Sequence, residues 1–240
     1  LTENIRAALS GLYETSKANF FVSELTRHLH EKMIGGKSDN NKLIFNPFTK
    51  SVPENFIYPE PADGIFKIAL VGRLEIFHKG YDLLFSVINQ EKWKQRPLHF
   101  SIFGNGPHLQ TLLRWKEVNQ IDNISIKEHV ENVADIWKDH QLLFMPSRME
   151  GQSLSLIEAM NFKRSAIVTR VGGTEELIEE GVSGFFAAFP TVESIDEALE
   201  RAWEKRNEWK SMGETAFRYI RERHPSDAVS YFVKEISGLI

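Results

Sequence analysis

The chain has 240 residues, 42% of them apolar and 26% charged, with a net charge of −4 and no cysteine. This is ordinary globular composition; it excludes disulfides and cysteine-ligated metals and offers no general electrostatic pull toward nucleic acid or anionic lipid. The longest apolar runs, IALV and QLLFM, have strand length and fall far short of a membrane span, and no signal or transit segment is visible.

The first 48 residues carry a short apolar strand (Phe20 to Val22), a helix and a second strand (Leu43 to Phe45). One helix-linked strand pair is too small to build its own core, so residues 1–48 read as the closing segment of a preceding domain. A start at Leu1 rather than methionine fits a chain processed or excised from something longer. His28 and His30 have no acidic or cysteine partner that would make them metal ligands, and read as a polar helix face. Residues 49–65 contain Pro53, Pro59 and Pro61 and read as a linker.

From Phe66 onward, apolar runs alternate with amphipathic helix-length ones. FKIALVGR is a buried strand, and GYDLLFSVINQEKW places Tyr81, Leu84, Phe85 and Ile88 at helical spacing. LHFSIFGNG is the second strand, followed by a helix with Pro107 at its first position. ISIKEHV, QLLFMPS and SAIVTRV are the third to fifth strands. Helices follow each of them: around NVADIWKDH, over LSLIEAMNF, and over TEELIEEG, the last starting at Thr174 and closed by Gly181. GFFAAF is a sixth, weaker strand. The remainder is charged and helical up to Pro225, after which Ser226 or Asp227 can begin a closing helix. Continuous apolar strands separated by helices imply a doubly wound parallel α/β sheet, whose ligands bind in loops at the carboxyl ends of the strands.

Four of those loops matter for chemistry. In GRLEIFHKG, Gly72 allows a tight turn, while Arg73 and Lys79 flank an apolar stretch. Two cations at a strand end suit a diphosphate, each charge-assisted hydrogen bond contributing roughly 1.5–3 kcal/mol. Spacing alone leaves open that both are solvated surface cations. FGNGP supplies Gly104 and Gly106, but Leu109 stands where a dinucleotide fingerprint needs its third glycine, and no ribose-holding acid follows; this argues against NAD. In SRMEGQSLS, the N–H groups of Gln152, Ser153 and Leu154 would be free at a helix start and favour an anion. Glu158, one turn further in, suits vicinal hydroxyls, and Glu150 at the mouth suits a second hydroxylated group; equally open is a surface Glu150 with Glu158 paired to an inner cation. In RVGGTEEL, Glu175 and Glu176 need no explanation beyond complementing the start of their own helix. No G-x-x-x-x-G-K-S/T loop, H-E-x-x-H, G-x-S-x-G or Asp-x-Asp is present.

Taken in order, GRLEIFHKG, FGNGP, the EHV strand end, PSRMEGQSLSLIEAM and RVGGTEELIEEGVSGF resemble the carboxyl-terminal domain of GT-B glycosyltransferases, specifically the retaining family 4 group. The resemblance covers roughly residues 66–186, with Glu150 and Glu158 matching the family's E-x7-E pattern. It implies a nucleotide-sugar donor domain over 66–224, a crossing helix over 225–240 and a preceding Rossmann-like domain, mostly absent, that would hold the acceptor. Arg73 and Lys79 would hold the diphosphate with the N–H groups near Ser153 and Leu154. Val130 would contact the base, Glu158 the ribose and Glu150 the donor sugar beside the reacting carbon. Gly72, Gly104, Gly151 and Gln152 would complete the donor surface, with Glu150, Arg73 and Lys79 as the catalytic set. The resemblance also implies no cofactor and, as the family does not generally need one, no metal; the acceptor, a glycan, a lipid-linked group or a small molecule, is left open. A cytoplasmic setting is expected, with peripheral contact to the inner face of a membrane available to the missing domain.

The chain departs from the family at NFKRS (Asn161–Ser165), where a Gly- and Pro-containing turn is common. As a fragment it is expected not to be competent alone. A donor-binding module without catalysis, an epimerase of the same fold and a dinucleotide oxidoreductase are the competing readings. Intact Arg73, Lys79, Glu150 and Glu158 disfavour the first, no general acid/base pair supports the second, and the broken fingerprint disfavours the third.

Overall fold

The computed structural model describes residues 2–47, 52, 56–225 and 227–239. The boundary expected between residues 48 and 49, residues 49–51 and 53–55 of the adjoining linker and the candidate cap Ser226 lie outside the described residues.

The leading segment comprises α1 (Glu3–Thr15), β1 (Asn19–Phe21), α2 (Glu24–Ile34) and β2 (Asn41–Leu43). β1 and β2 pair in parallel as a two-stranded sheet of their own. Next come β3 (Phe66–Val71), α3 (Ile76–Lys79), α4 (Tyr81–Ile88), α5 (Glu91–Lys94), β4 (Leu98–Phe103), α6 (Leu109–Val118), β5 (Ile124–Lys127) and α7 (Val133–Trp137). The chain continues with β6 (Leu142–Met145), α8 (Leu154–Asn161), β7 (Ser165–Thr169), β8 (Gly184–Ala187), α9 (Val192–Glu204), α10 (Trp209–Arg223) and α11 (Ala228–Ser237).

The main sheet has six parallel strands in the order β5-β4-β3-β6-β7-β8. Its strands are apolar on both faces because both are covered. Along β3, Ile68 and Leu70 join a core with Leu84 and Val87 of α4, while Ala69 between them joins a second core with Ile157 and Met160 of α8. The strand order reverses between β3 and β6, so the loops that leave these two neighbours diverge and leave a crevice between them. Arg73 and Lys79 follow β3; Glu150 and Glu158 follow β6.

Two expectations are corrected. Pro107 is not the first helical residue: α6 begins at Leu109, capped at His108. TEELIEEG is not an α-helix starting at Thr174. Gly172–Glu176 forms a 3-10 turn, in which the buried Thr174 hydroxyl donates back toward the carbonyls of Val171 (2.8 Å) and Thr169 (3.0 Å). That side chain satisfies the end of β7 instead of opening a new helix. Asp227 caps α11, accepting from the N–H of Ser230 at 3.0 Å. α11 returns to the leading segment, where Phe232 meets Phe20 edge-on at 5.3 Å and Glu235 pairs with Lys42 at 2.5 Å.

At Asn161–Ser165 the connection is built on a fully buried Arg164. Its guanidinium donates to the carbonyls of Trp137 (2.5 Å), Phe162 (2.7 Å), His140 (2.8 Å) and Lys163 (3.3 Å) and lies 4.7 Å from the Tyr58 ring. It thereby closes the ends of α7 and α8 against the strand β7 that follows. Arg164→Leu should lower stability by roughly 3 kcal/mol, because the carbonyls it serves are left buried and unmatched. The measurement is urea unfolding, with the midpoint falling and the slope unchanged.

Candidate functional site

A cleft of about 870 Å³ opens at the carboxyl ends of β3, β4, β5 and β6. One side is made by the turns after β3 and β4. Gly104 has φ +154°, and a Cβ there would fall 1.9 Å from the carbonyl oxygen of Gly72, so only glycine lets these backbones touch. The contact continues with Leu74 N–H donating to the Asn105 carbonyl (2.9 Å) and His108 N–H to the Leu74 carbonyl (3.1 Å). Gly72 itself stands beside the Lys79 stem. Together these fix the stretch that displays Arg73 and Lys79.

Opposite in sequence, β6 runs into Ser153, whose side chain caps α8 by accepting from the Leu156 N–H at 3.4 Å. With its hydroxyl used this way, Ser153 faces the cleft through its backbone. The N–H groups of Ser153 and Leu154 meet no acceptor among the described residues. Leu154 is 43% exposed at the cleft.

The structure brings ten of the eleven expected residues into this one lining: Gly72, Arg73, Lys79, Gly104, Val130, Glu150, Gln152, Ser153, Leu154 and Glu158. Gly151 is the exception. It is exposed and off the lining, and its carbonyl accepts the Gly173 N–H at 2.6 Å. Arg73 is exposed and has no ion pair among the described residues. Lys79 is paired: its Nζ lies 2.7 Å from Oε1 of Glu150, whose side chain is only 8% exposed. Glu150 is therefore no surface acid.

Glu158 is half-buried, and no inner arginine or lysine reaches it among the described residues. Burial alone raises its carboxyl above the ordinary 4.5. An unpaired, desolvated acid in a cleft marks a place built for a ligand more than for stability.

Sequence reasoning missed several parts of this surface. Asn46 of the leading segment lines the cleft, its amide donating to the Gln152 carbonyl at 3.1 Å. Asn105, His129 and Asn132 also line it. Asn132 had a legible signal, since it caps α7 through the Ala134 N–H (3.1 Å). Asn46 had none, because its partner is 106 residues away. Glu176 does not serve its own helix start. Its two carboxylate oxygens accept the N–H groups of Glu24 (3.2 Å) and Leu25 (3.0 Å), capping α2.

With this geometry in place, comparison with known proteins is direct. The family of group 1 glycosyl transferases matches residues 65–205, and the chain belongs to it. An uncharacterized glycosyltransferase of Methanocaldococcus jannaschii is 20% identical over 92% of this chain and 60% of its own length. Glycogen synthase of Pseudomonas putida is 31% identical over 65% of this chain and 30% of its own length. This chain thus spans only part of the relatives it matches. Among solved structures, Anabaena HepE in complex with UDP and glucose superposes with a TM-score of 0.79 at 17% identity, over 98% of this chain and 66% of HepE. S. aureus TarM gives 0.78 at 18% identity over 100% of this chain and 46% of TarM. The fold is that of GT-B glycosyltransferases. Among the described residues, no helix is long and apolar enough to cross a membrane.

The state of Glu158 has a thermodynamic consequence. Its folded pKa lies above the unfolded one, so the folded chain binds the extra proton between the two values. Stability therefore falls as pH rises through that window, and the ionised carboxylate is a cost above it. Glu158→Gln should raise the thermal midpoint at pH 7, and the gain should vanish by about pH 3, where the wild-type acid is protonated in both states. Midpoints compared across that pH range check it.

Proposed function

We propose that this chain is the donor-binding half of a glycosyltransferase that moves a sugar from a nucleotide-sugar to an acceptor with retention at the anomeric carbon. The observation that carries the reading is a convergence in one cleft: Arg73, Lys79 and the open N–H groups of Ser153 and Leu154 share it with the unpaired Glu158. A diphosphate matches the first set and a ribose diol the last.

In the transfer, the bond between the anomeric carbon and the diphosphate oxygen breaks, and that oxygen gathers negative charge. Arg73, Lys79 and the start of α8 are placed in advance to stabilise it, lowering the barrier without rearrangement. Glu150, adjoining Lys79, is placed to hold hydroxyls of the departing sugar. Gly72, Gly104 and Gln152 shape the surface beneath the donor, and Val130 borders the base. The chain's own cations supply the positive charge, so the proposal invokes neither metal nor cofactor. Retention is proposed from family membership together with the Glu150–Glu158 spacing.

Residues 1–48 are assigned in this reading to the end of the acceptor-side Rossmann-like domain, residues 49–65 to the linker and 225–240 to the helix that returns to it. The packing of α11 on β1 and β2 supports this division. The acceptor, a glycan, lipid-linked group or small molecule, would be held mainly by that other domain, in the cytoplasm or at the inner face of a membrane.

UDP is the first donor nucleotide to try, since HepE was solved with it. A thermal-shift panel of UDP, GDP, ADP, CMP and NADH should show one nucleoside diphosphate stabilising the chain. At about 100 times its dissociation constant, that ligand adds roughly 2.7 kcal/mol. Arg73→Ala should weaken it about 10- to 100-fold, and Glu158→Ala should weaken it as well. Stabilisation by NADH alone, or by a nucleotide indifferent to both substitutions, would contradict the reading.

A further inference from the structure

Arg148 lies outside the cleft lining, yet it joins the two loops that form it. We propose that Arg148 is a positioning residue for the diphosphate subsite, setting Lys79 against Glu150 and the start of α8. The inference rests on the donor-site reading and deepens it.

The guanidinium makes a two-pronged pair with Asp82 of α4, Nη1 to Oδ1 and Nη2 to Oδ2, both at 2.7 Å. Nη1 also donates to the carbonyl of Phe77 at 3.0 Å, and the charge lies 4.9 Å from the centre of the Phe77 ring. The Arg148 backbone N–H donates to the His78 carbonyl at 2.8 Å. These contacts span α3 and the first turn of α4, on both sides of Lys79. The junction itself presses on the same strand end: Gly80 has φ +67°, and a Cβ there would fall 1.9 Å from the Pro146 carbonyl oxygen. Two residues beyond Arg148 stands Glu150, which Lys79 meets at 2.7 Å.

An ordinary exposed ion pair contributes little. This one differs in geometry: its arginine is 19% exposed, its fork is fully matched, and its remaining bonds go to main-chain carbonyls. Lysine has a point charge and cannot make the fork and the Phe77 bond together. Arg148 touches neither Val130 nor Glu158, the groups proposed for the base and ribose. Its loss should therefore be felt by the phosphates and not by the nucleoside.

The test compares UDP, by calorimetry, with uridine, by ligand-observed NMR, on the full chain and on Arg148→Ala and Arg148→Lys. Arg148→Ala should weaken UDP about tenfold and Arg148→Lys by less, with uridine affinity within about twofold of wild type, as expected when a subsite is displaced but not removed. Parallel loss of UDP and uridine would mean that Arg148 merely stabilises the fold, and unchanged UDP binding would mean that it positions nothing. Either overturns the proposal while leaving the donor site standing. If the wild-type chain binds neither probe while another nucleoside diphosphate stabilises it, that diphosphate and its nucleoside replace them. If no nucleotide binds, the donor-site reading fails and this inference falls with it.

Discussion

The ion pair between Lys79 and Glu150 is the interaction on which the rest of the site depends. It joins the loops of the two strands at which the sheet reverses its order, the one place in a doubly wound sheet where neighbouring loops separate and leave a crevice. A carboxylate as covered as Glu150 is costly to leave unmatched, and Lys79 matches it. The cleft is thus neutralised at this point, while among the described residues Arg73 has no ion pair and the N–H groups of Ser153 and Leu154 meet no acceptor. Under the proposed function, a donor entering between the loops would meet both kinds of surface: one free to accept charge, the other already holding it.

The sheet was legible because its strands are continuous apolar runs, the pattern that burial on both faces demands. The expected helix at TEELIEEG failed for an identifiable reason. Leu177 and Ile178 are buried, but Thr174 turns its hydroxyl back on β7, and Glu176 is drawn away to cap α2. Tertiary contacts overrode a local pattern. The site was legible where chemistry is local, as in the cations around Gly72 or the acids around α8. It was invisible where a residue acts through a distant partner: Asn46 with Gln152, or Arg148 with Asp82, 66 residues apart.

Those distant partners show how the leading segment bears on the cleft. Asn46 lines it directly, Glu176 ties the turn after β7 to α2, and α11 packs back on β1 and β2. The leading segment is thus held to the loops after β6 and β7 and to the end of the chain. Motion of the segment would be felt at Gln152, immediately before the Ser153 cap of α8, and this connects its position to that side of the cleft.

The most direct measurement is a crystal structure of the chain with UDP or the nucleoside diphosphate that stabilises it. The account predicts phosphate oxygens within hydrogen-bond distance of Arg73, Lys79 and the N–H groups of Ser153 and Leu154, with the ribose on Glu158. A nucleotide seated elsewhere, or one that leaves Arg73 and Glu158 untouched, would contradict it.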